Sequence, residues 1–268
     1  MKPFIQKIMV VLILPVLTLP LSLLAQASDL SVDEIISRAN LASYYAANDG
    51  RAEARMKIVD KNGNKQMRQF TILRQDIEDE GQQNMLVVFS RPTDVKGTVF
   101  RVEKHVTQDD NRWLYLPGLD LIKRISAGDK RTSFVGSHFY YEDVSGRNPK
   151  EDNFELLTTT NQYYVIKGVP KKSSTVEFAH YQVSIDIKSF LPMEVVYFDK
   201  KDKPMRKMTV KKTQEIQGYT TVLHSRIERL SDGSFTEMQF RNVQYDLKLP
   251  ANVFSERSLR NPPAKWLK

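Results

Sequence analysis

Few side chains in this sequence have the type and spacing that a reaction needs. The four histidines, His105, His138, His180 and His224, are the first candidates for acid/base work or metal binding. None stands in a His-x-His or His-Glu-x-x-His pattern. His138 with Glu142 and Asp143 gathers three ligand types in one segment, although surface polar residues explain the same grouping. The acidic runs at 76–80 and 109–110 sit among charged and amide residues in turn-like stretches, so solvated loops account for them better than a paired-carboxylate site. No cysteine occurs, which removes disulfides, thiolate metal sites, a thiol nucleophile and acylation on cysteine. A Gly-x-Ser-x-Gly elbow, a P-loop and a Gly-x-Gly-x-x-Gly fingerprint are missing as well. The reading is therefore non-enzymatic, with no catalytic residue, metal or cofactor expected. An enzyme acting on an envelope lipid through His138 or His105 is the catalytic alternative.

The leading 27 residues have the layout of a secretory signal peptide. Lys2 and Lys7 supply a basic start, residues 8–24 carry no charge, and Ala25-Gln26-Ala27 offers a small-residue cleavage site before Ser28. The uncharged stretch reaches the lower limit of a membrane span, about 17 residues, but Pro15, Pro20 and the Ala-x-Ala ending favour cleavage. The expectation is a periplasmic chain, soluble and monomeric, with one domain over residues 28–268. A domain of about 240 residues buries roughly 70% of its unfolded surface and can do without disulfide staples. The formal net charge of +8 comes from scattered basic residues. It suits an anionic membrane face or an acidic partner, and equally serves solubility alone. Export argues against nucleic acid as a partner.

The elements that would position any binding residue are mostly strands. Ser31-Val32-Asp33-Glu34 has the form of a capping box, so a helix is predicted to start there. Ile35, Ala39, Ala42 and Ala46 give that helix a narrow apolar stripe, and Asn48-Asp49-Gly50 is predicted to end it. From Ala52 the period changes to two, with Ala54, Met56 and Ile58 alternating with Glu53, Arg55 and Lys57, and Asn62-Gly63 predicts a hairpin. Further strands are predicted at 66–74, 85–90, 98–103, 112–116, 154–159, 163–167, 181–188, 193–198, 207–212, 220–230 and 235–247. About a dozen short strands joined by hairpin-type turns predict one large antiparallel sheet that curls, with no second domain. Between 125 and 149 the strand rhythm fails. This stretch carries Phe134, Phe139, Tyr140 and Tyr141 among its turn residues, and is read as a long excursion with a short helix, the best lid candidate in the chain.

Several segments carry a resemblance. FSRPTDVKGTVF at 89–100, RWLYLPGLDLIKRIS at 112–126, SFVGSHFYYEDVSG at 133–146, YQVSIDIKSFLPMEVVYFDKKDKP at 181–204 and NVFSERSL at 252–259 together resemble the LolA-like family of outer-membrane lipoprotein-sorting proteins, in the branch found beside RND-type exporters. His138 departs from the pattern, which has an acidic residue after the Gly-Ser pair. The resemblance implies a strongly curved, incomplete antiparallel half-barrel. Its concave face would be covered by the N-terminal helix and the lid, and its cavity would hold acyl chains.

On that basis Val99, Trp113, Tyr115, Phe134, Phe139 and Tyr141 are the candidate cavity and lid residues. Core filling explains the same aromatics. Strict alternation puts Trp113 and Tyr115 on one face of their strand and Leu116 on the other. The methionines at 56, 67, 85, 193, 205, 208 and 238 suit either a packed core or an adaptable apolar wall. The resemblance implies a carrier or chaperone for lipoprotein acyl chains or another lipid, receiving cargo from an inner-membrane RND-type transporter and passing it to an outer-membrane acceptor. The rival is an adaptor that docks on such an exporter and binds no lipid.

Overall fold

The computed structural model describes residues 30–78 and 81–268. The predicted leading segment, 1–27, lies outside them. The first helix, α1 (Val32–Tyr44), begins where the capping box requires: the Ser31 hydroxyl accepts from the Glu34 amide at 3.3 Å, and the Glu34 carboxylate accepts from the Ser31 amide at 2.9 Å. Such a cap stabilises a helix by about 1 kcal/mol. The helix ends earlier than expected, at Tyr44, and Asp49 and Gly50 already belong to the first strand. Side chains from the sheet make the end: Arg74 donates to the carbonyls of Tyr44, Ala46 and Ala47, and Gln83 donates to Tyr44 O at 2.7 Å. Orphan carbonyls at the helix C-terminus thus find donors on neighbouring strands.

Thirteen strands follow among the described residues. The first six are β1 (Asp49–Val59), β2 (Lys65–Asp76), β3 (Gln83–Arg91), β4 (Val99–Lys104), β5 (Asn111–Leu116) and β6 (Leu121–Ile125). The last seven are β7 (Asp152–Thr159), β8 (Tyr163–Pro170), β9 (His180–Asp186), β10 (Pro192–Phe198), β11 (Pro204–Ile216), β12 (Tyr219–Arg229) and β13 (Phe235–Tyr245). They form one sheet in the order β6-β5-β4-β3-β2-β1-β13-β12-β11-β10-β9-β8-β7. Every pairing is antiparallel. Each run is a meander, β1 pairs with β13 at the centre, and β6 and β7 are unjoined edges, so the barrel stays open. The mainly β, half-barrel architecture is the one the sequence predicts, and β6 is the strand it did not mark.

This topology dictates the path of the excursion. Residues 126–151 must lead from β6 at one edge to β7 at the other, so they cross one face of the sheet, here called the inner face. Midway lies a short helix, α2 (Tyr141–Ser145). The C-terminal segment after β13, including α3 (Arg257–Arg260), covers the outer face of β2–β5. Its anchor is Asp49, whose carboxylate accepts from the amides of Leu247 and Leu249, each at 2.6 Å.

Two apolar clusters result. The inner one joins Met56, Phe70, Val87, Phe89 and Phe100 to Phe134, Phe139 and Tyr141 of the excursion. In the outer one, Leu73, Leu86, Val88 and Val99 pack against Leu249, Val253, Phe254 and Leu259.

Candidate functional site

Side-chain alternation decides which residues face the excursion. Along β4 and β5, Phe100, Val102 and Leu114 point to the inner cluster, whereas Val99, Trp113 and Tyr115 join the outer one. The inner residues of β2–β4 meet Phe134, which is fully buried. Its ring centroid lies 5.5 Å from Phe100, 5.7 Å from Phe89, 6.2 Å from Phe70 and 5.6 Å from Tyr141. These separations are those of attractive tilted and edge-to-face aromatic pairs. This half of the inner face is filled.

The other half is not. Between α1, the excursion and strands β9–β13 lies a cavity of about 430 Å³, within the range of small-ligand sites. Ile36 and Ala39 border it from α1, Val183 and Val195 from the sheet floor, and Met208 and Met238 from β11 and β13. The lining combines β-branched, short and thioether side chains with aromatic ones such as Phe154, Tyr181, Tyr197 and Phe240. Tyr181 and Tyr197 rise from the sheet to the roof at one side, and beside them the shorter Val183, Val195 and Met208 border the open space.

A ring of charges forms the roof. Glu142, almost completely buried, accepts from Lys130 at 2.9 Å, Arg131 at 3.1 Å and Arg147 at 3.2 Å. Burial by itself would raise its carboxyl, but Arg147, Arg131 and Lys130 outweigh that and bring its pKa down to about 2. Arg131 also reaches Glu177 at 2.5 Å and lies over the rings of Tyr140, Phe178 and Tyr197. Arg206 of β11 donates to Asp143 and to the carbonyl of His138. Asp152 accepts from Arg147 at 2.7 Å and from the Tyr181 hydroxyl at 2.9 Å. Tyr181 achieves this by lying across Gly168, where an added Cβ would stand 2.3 Å from its ring. Burial and the neighbouring Asp152 push the Tyr181 phenol well above its ordinary range. Opposite charges in the roof neutralise one another, so the cavity meets paired ions instead of a bare charge.

His138 has a structural task. Its amide and Nδ1 both contact Thr236 Oγ1, at 3.0 and 2.8 Å, and Nε2 contacts Ser234 Oγ at 2.9 Å. Burial, with Arg229 nearby, holds its imidazole below the usual range. Glu142 and Asp143, the other members of the grouping seen in the sequence, are engaged by the roof cations. Among the described residues no group of three His, Cys, Asp or Glu side chains could hold a metal ion.

Of the six residues singled out from sequence, Phe139 lines the cavity. Phe134 and Tyr141 belong to the excursion and plug the filled half beside it. Val99, Trp113 and Tyr115 do not line it: they stand on the outer face, under the C-terminal segment, and Arg101 lies 4.6 Å over the Trp113 ring. The physical reason is that β2–β5 are buried on both faces, so alternation groups Trp113 with Tyr115 without saying which side is inward. The floor residues Val183 and Ile185 were visible as an alternating pair, and Ile35 and Ala39 as a helical stripe. The roof was not legible, because its pairs join residues as distant as Arg131 and Glu177 or Arg206 and Asp143.

A family model described as "-like: Uncharacterized protein" matches residues 81–261. No curated protein matches the chain. Among solved structures, a DUF1329 family protein from Desulfovibrio piger is 28% identical, covering 85% of this chain and 96% of that one at a TM-score of 0.77. A domain from Vibrio parahaemolyticus described as an outer membrane lipoprotein-sorting protein is 24% identical, covering 85% and 97%, also at 0.77. A LolA superfamily protein from Nitrosomonas europaea shares the fold at 13% identity, covering 85% and 99%, at 0.65. The family model spans more than half of the chain, so the chain belongs to the family it describes, and it shares the fold of these three structures, a LolA superfamily protein among them.

Proposed function

We propose that this protein is a periplasmic carrier that takes lipoprotein acyl chains, or another lipid, into the cavity under α1 and the excursion and delivers them towards the outer membrane. The observation that carries this reading is an apolar-walled space of about 430 Å³ whose charged roof is internally paired. Each methylene withdrawn from water contributes about 0.8 kcal/mol, so a chain of some 15 methylenes costs roughly 12 kcal/mol to expose. Unassisted passage through an aqueous compartment is correspondingly slow. A wall of aliphatic, thioether and aromatic side chains holds such a chain by contact and releases it without breaking an ion pair.

The predicted signal segment at 1–27 routes the chain to the periplasm in this reading. An inner-membrane exporter of the RND type acts as donor and an outer-membrane component as acceptor. The name of the Vibrio domain, a lipoprotein-sorting protein, supports the same class of cargo.

Mass spectrometry of lipid extracted from gently purified protein tests the proposal, together with binding of a fluorescent fatty acid. An amphiphile should co-purify, and Val195→Trp, which fills the cavity floor, should lower its content and weaken probe binding. A protein that carries no amphiphile and binds no probe would instead be an exporter-docking adaptor.

A further inference from the structure

The hairpin joining β5 to β6 breaks the usual rule that turns are polar. Its sequence is Leu116-Pro117-Gly118-Leu119-Asp120-Leu121. Leu119 is 73% exposed, the most exposed large apolar side chain among the described residues, and Leu121 is 46% exposed. The turn is held rigidly. Residues Pro117–Leu119 form a 3-10 turn, and Asp120 takes a left-handed conformation with φ 44°. The Asp120 carboxylate accepts from the Tyr115 hydroxyl at 3.2 Å and from Arg260 Nε at 2.9 Å. Arg260 Nη2 also donates to the Asp120 carbonyl at 3.2 Å. Leu119 is therefore fixed in water by a built turn, which costs free energy unless something apolar covers it.

The surroundings of the tip are basic. Lys123 and Arg124 follow on β6, both exposed. Arg257 and Arg260 of α3 are exposed on the C-terminal segment that reaches Asp120. Lys96 is exposed in the β3–β4 turn, which meets the tip where Gly97 abuts Pro117. Against these five stand Asp120, paired with Arg260, the exposed Glu256, and Asp94, which faces Arg68 at 3.6 Å.

We infer that the β5–β6 tip is a membrane-docking element, in which Leu119 and Leu121 enter the interface of an anionic bilayer and the surrounding lysines and arginines hold its phosphate headgroups. The inference rests on the carrier reading, since a carrier must meet a membrane surface to load or unload. A protein partner fits this site less well, because interface cores are depleted of lysine and need more apolar area than two leucines present. Protruding apolar side chains ringed by cations match a lipid surface, whose interior takes the one and whose headgroups attract the other.

Vesicle flotation with the exported full-length protein tests it, using equal parts of phosphatidylglycerol and phosphatidylcholine against phosphatidylcholine alone. The parent protein should float with the anionic vesicles, less with the neutral ones, and less as salt rises. Leu119→Asp combined with Leu121→Asp should weaken that binding roughly tenfold or more, with unchanged lipid content in the mass-spectrometric assay. Leu119→Trp should keep binding and shift its tryptophan emission to the blue on anionic vesicles only. Failure of the parent to float, or equal flotation of the double variant, overturns the inference. Flotation lost in the double variant while no form of the protein co-purifies with lipid would leave the docking tip standing and remove the carrier reading.

Discussion

The two halves of the inner face are built from the same sheet and roofed by the same excursion, yet one is solid and the other hollow. Over β2–β4, Phe70, Phe89 and Phe100 rise to meet Phe134, and the outer face of the same strands is sealed by the C-terminal segment. Over β9–β13, Val183, Val195 and Met208 stop short of a roof made of paired ions, and about 430 Å³ stays open. The contrast teaches that curvature alone does not make a binding site. Where Phe134 of the excursion packs onto Phe70, Phe89 and Phe100 the covered sheet becomes core, and over Val183, Val195 and Met208 it stays a cavity.

Four perturbations would break or sharpen that contrast. The largest effect is expected for Phe134→Ala, which removes the ring at the centre of the filled half and should cost about 3–5 kcal/mol in chemical denaturation. A loss below about 1 kcal/mol would mean that this half is not the rigid one.

Next comes the roof. The Glu142 carboxyl has a folded pKa of about 2 against an ordinary 4.5, so between those values the unfolded chain binds more protons than the native one. Its contribution, about 3 kcal/mol, is complete above the unfolded value and is lost as the pH falls through about 2. Acid denaturation should therefore be shallower across that window in Glu142→Gln, a variant already weakened at neutral pH because its cations lose their charged partner.

A smaller response is expected from the hollow half. Met208→Ala removes contacts on the sheet side only, so about 1–2 kcal/mol should be lost, less than for a residue packed all round. Smallest is His138→Ala, which forfeits contacts to Thr236 and Ser234 worth about 1 kcal/mol. Complementation of a deletion strain by that variant should be intact, and a null phenotype would reopen a chemical role for the imidazole.

Legibility followed burial. β1 alternates because its charged side chains lie opposite a covered face, and β9 shows the same alternation at Val183 and Ile185, so both strands were readable as half-buried. β3, with Met85 to Phe89 buried without a break, offers no polar side from which inside and outside can be told. For this reason Trp113 and Tyr115 could be paired with each other but not assigned to a face. The end of α1 was misplaced for a related cause: Asn48-Asp49-Gly50 resembles a stop, but the donors that terminate the helix come from Arg74 and Gln83.

By itself the sequence determined the capping box at Ser31, the Asn-Gly hairpin, nearly every strand and the departure from strand rhythm after Ile125. These depend on neighbours a few positions apart, and local sterics and alternation suffice to specify them. The tertiary structure alone decided that β1 would pair with β13, that the excursion would therefore have to cross from edge to edge, and that Phe134 would land on one half and leave the other open. Those outcomes come from contacts between residues far apart in the chain, where many pairings bury similar area and only the closed set of all of them selects one.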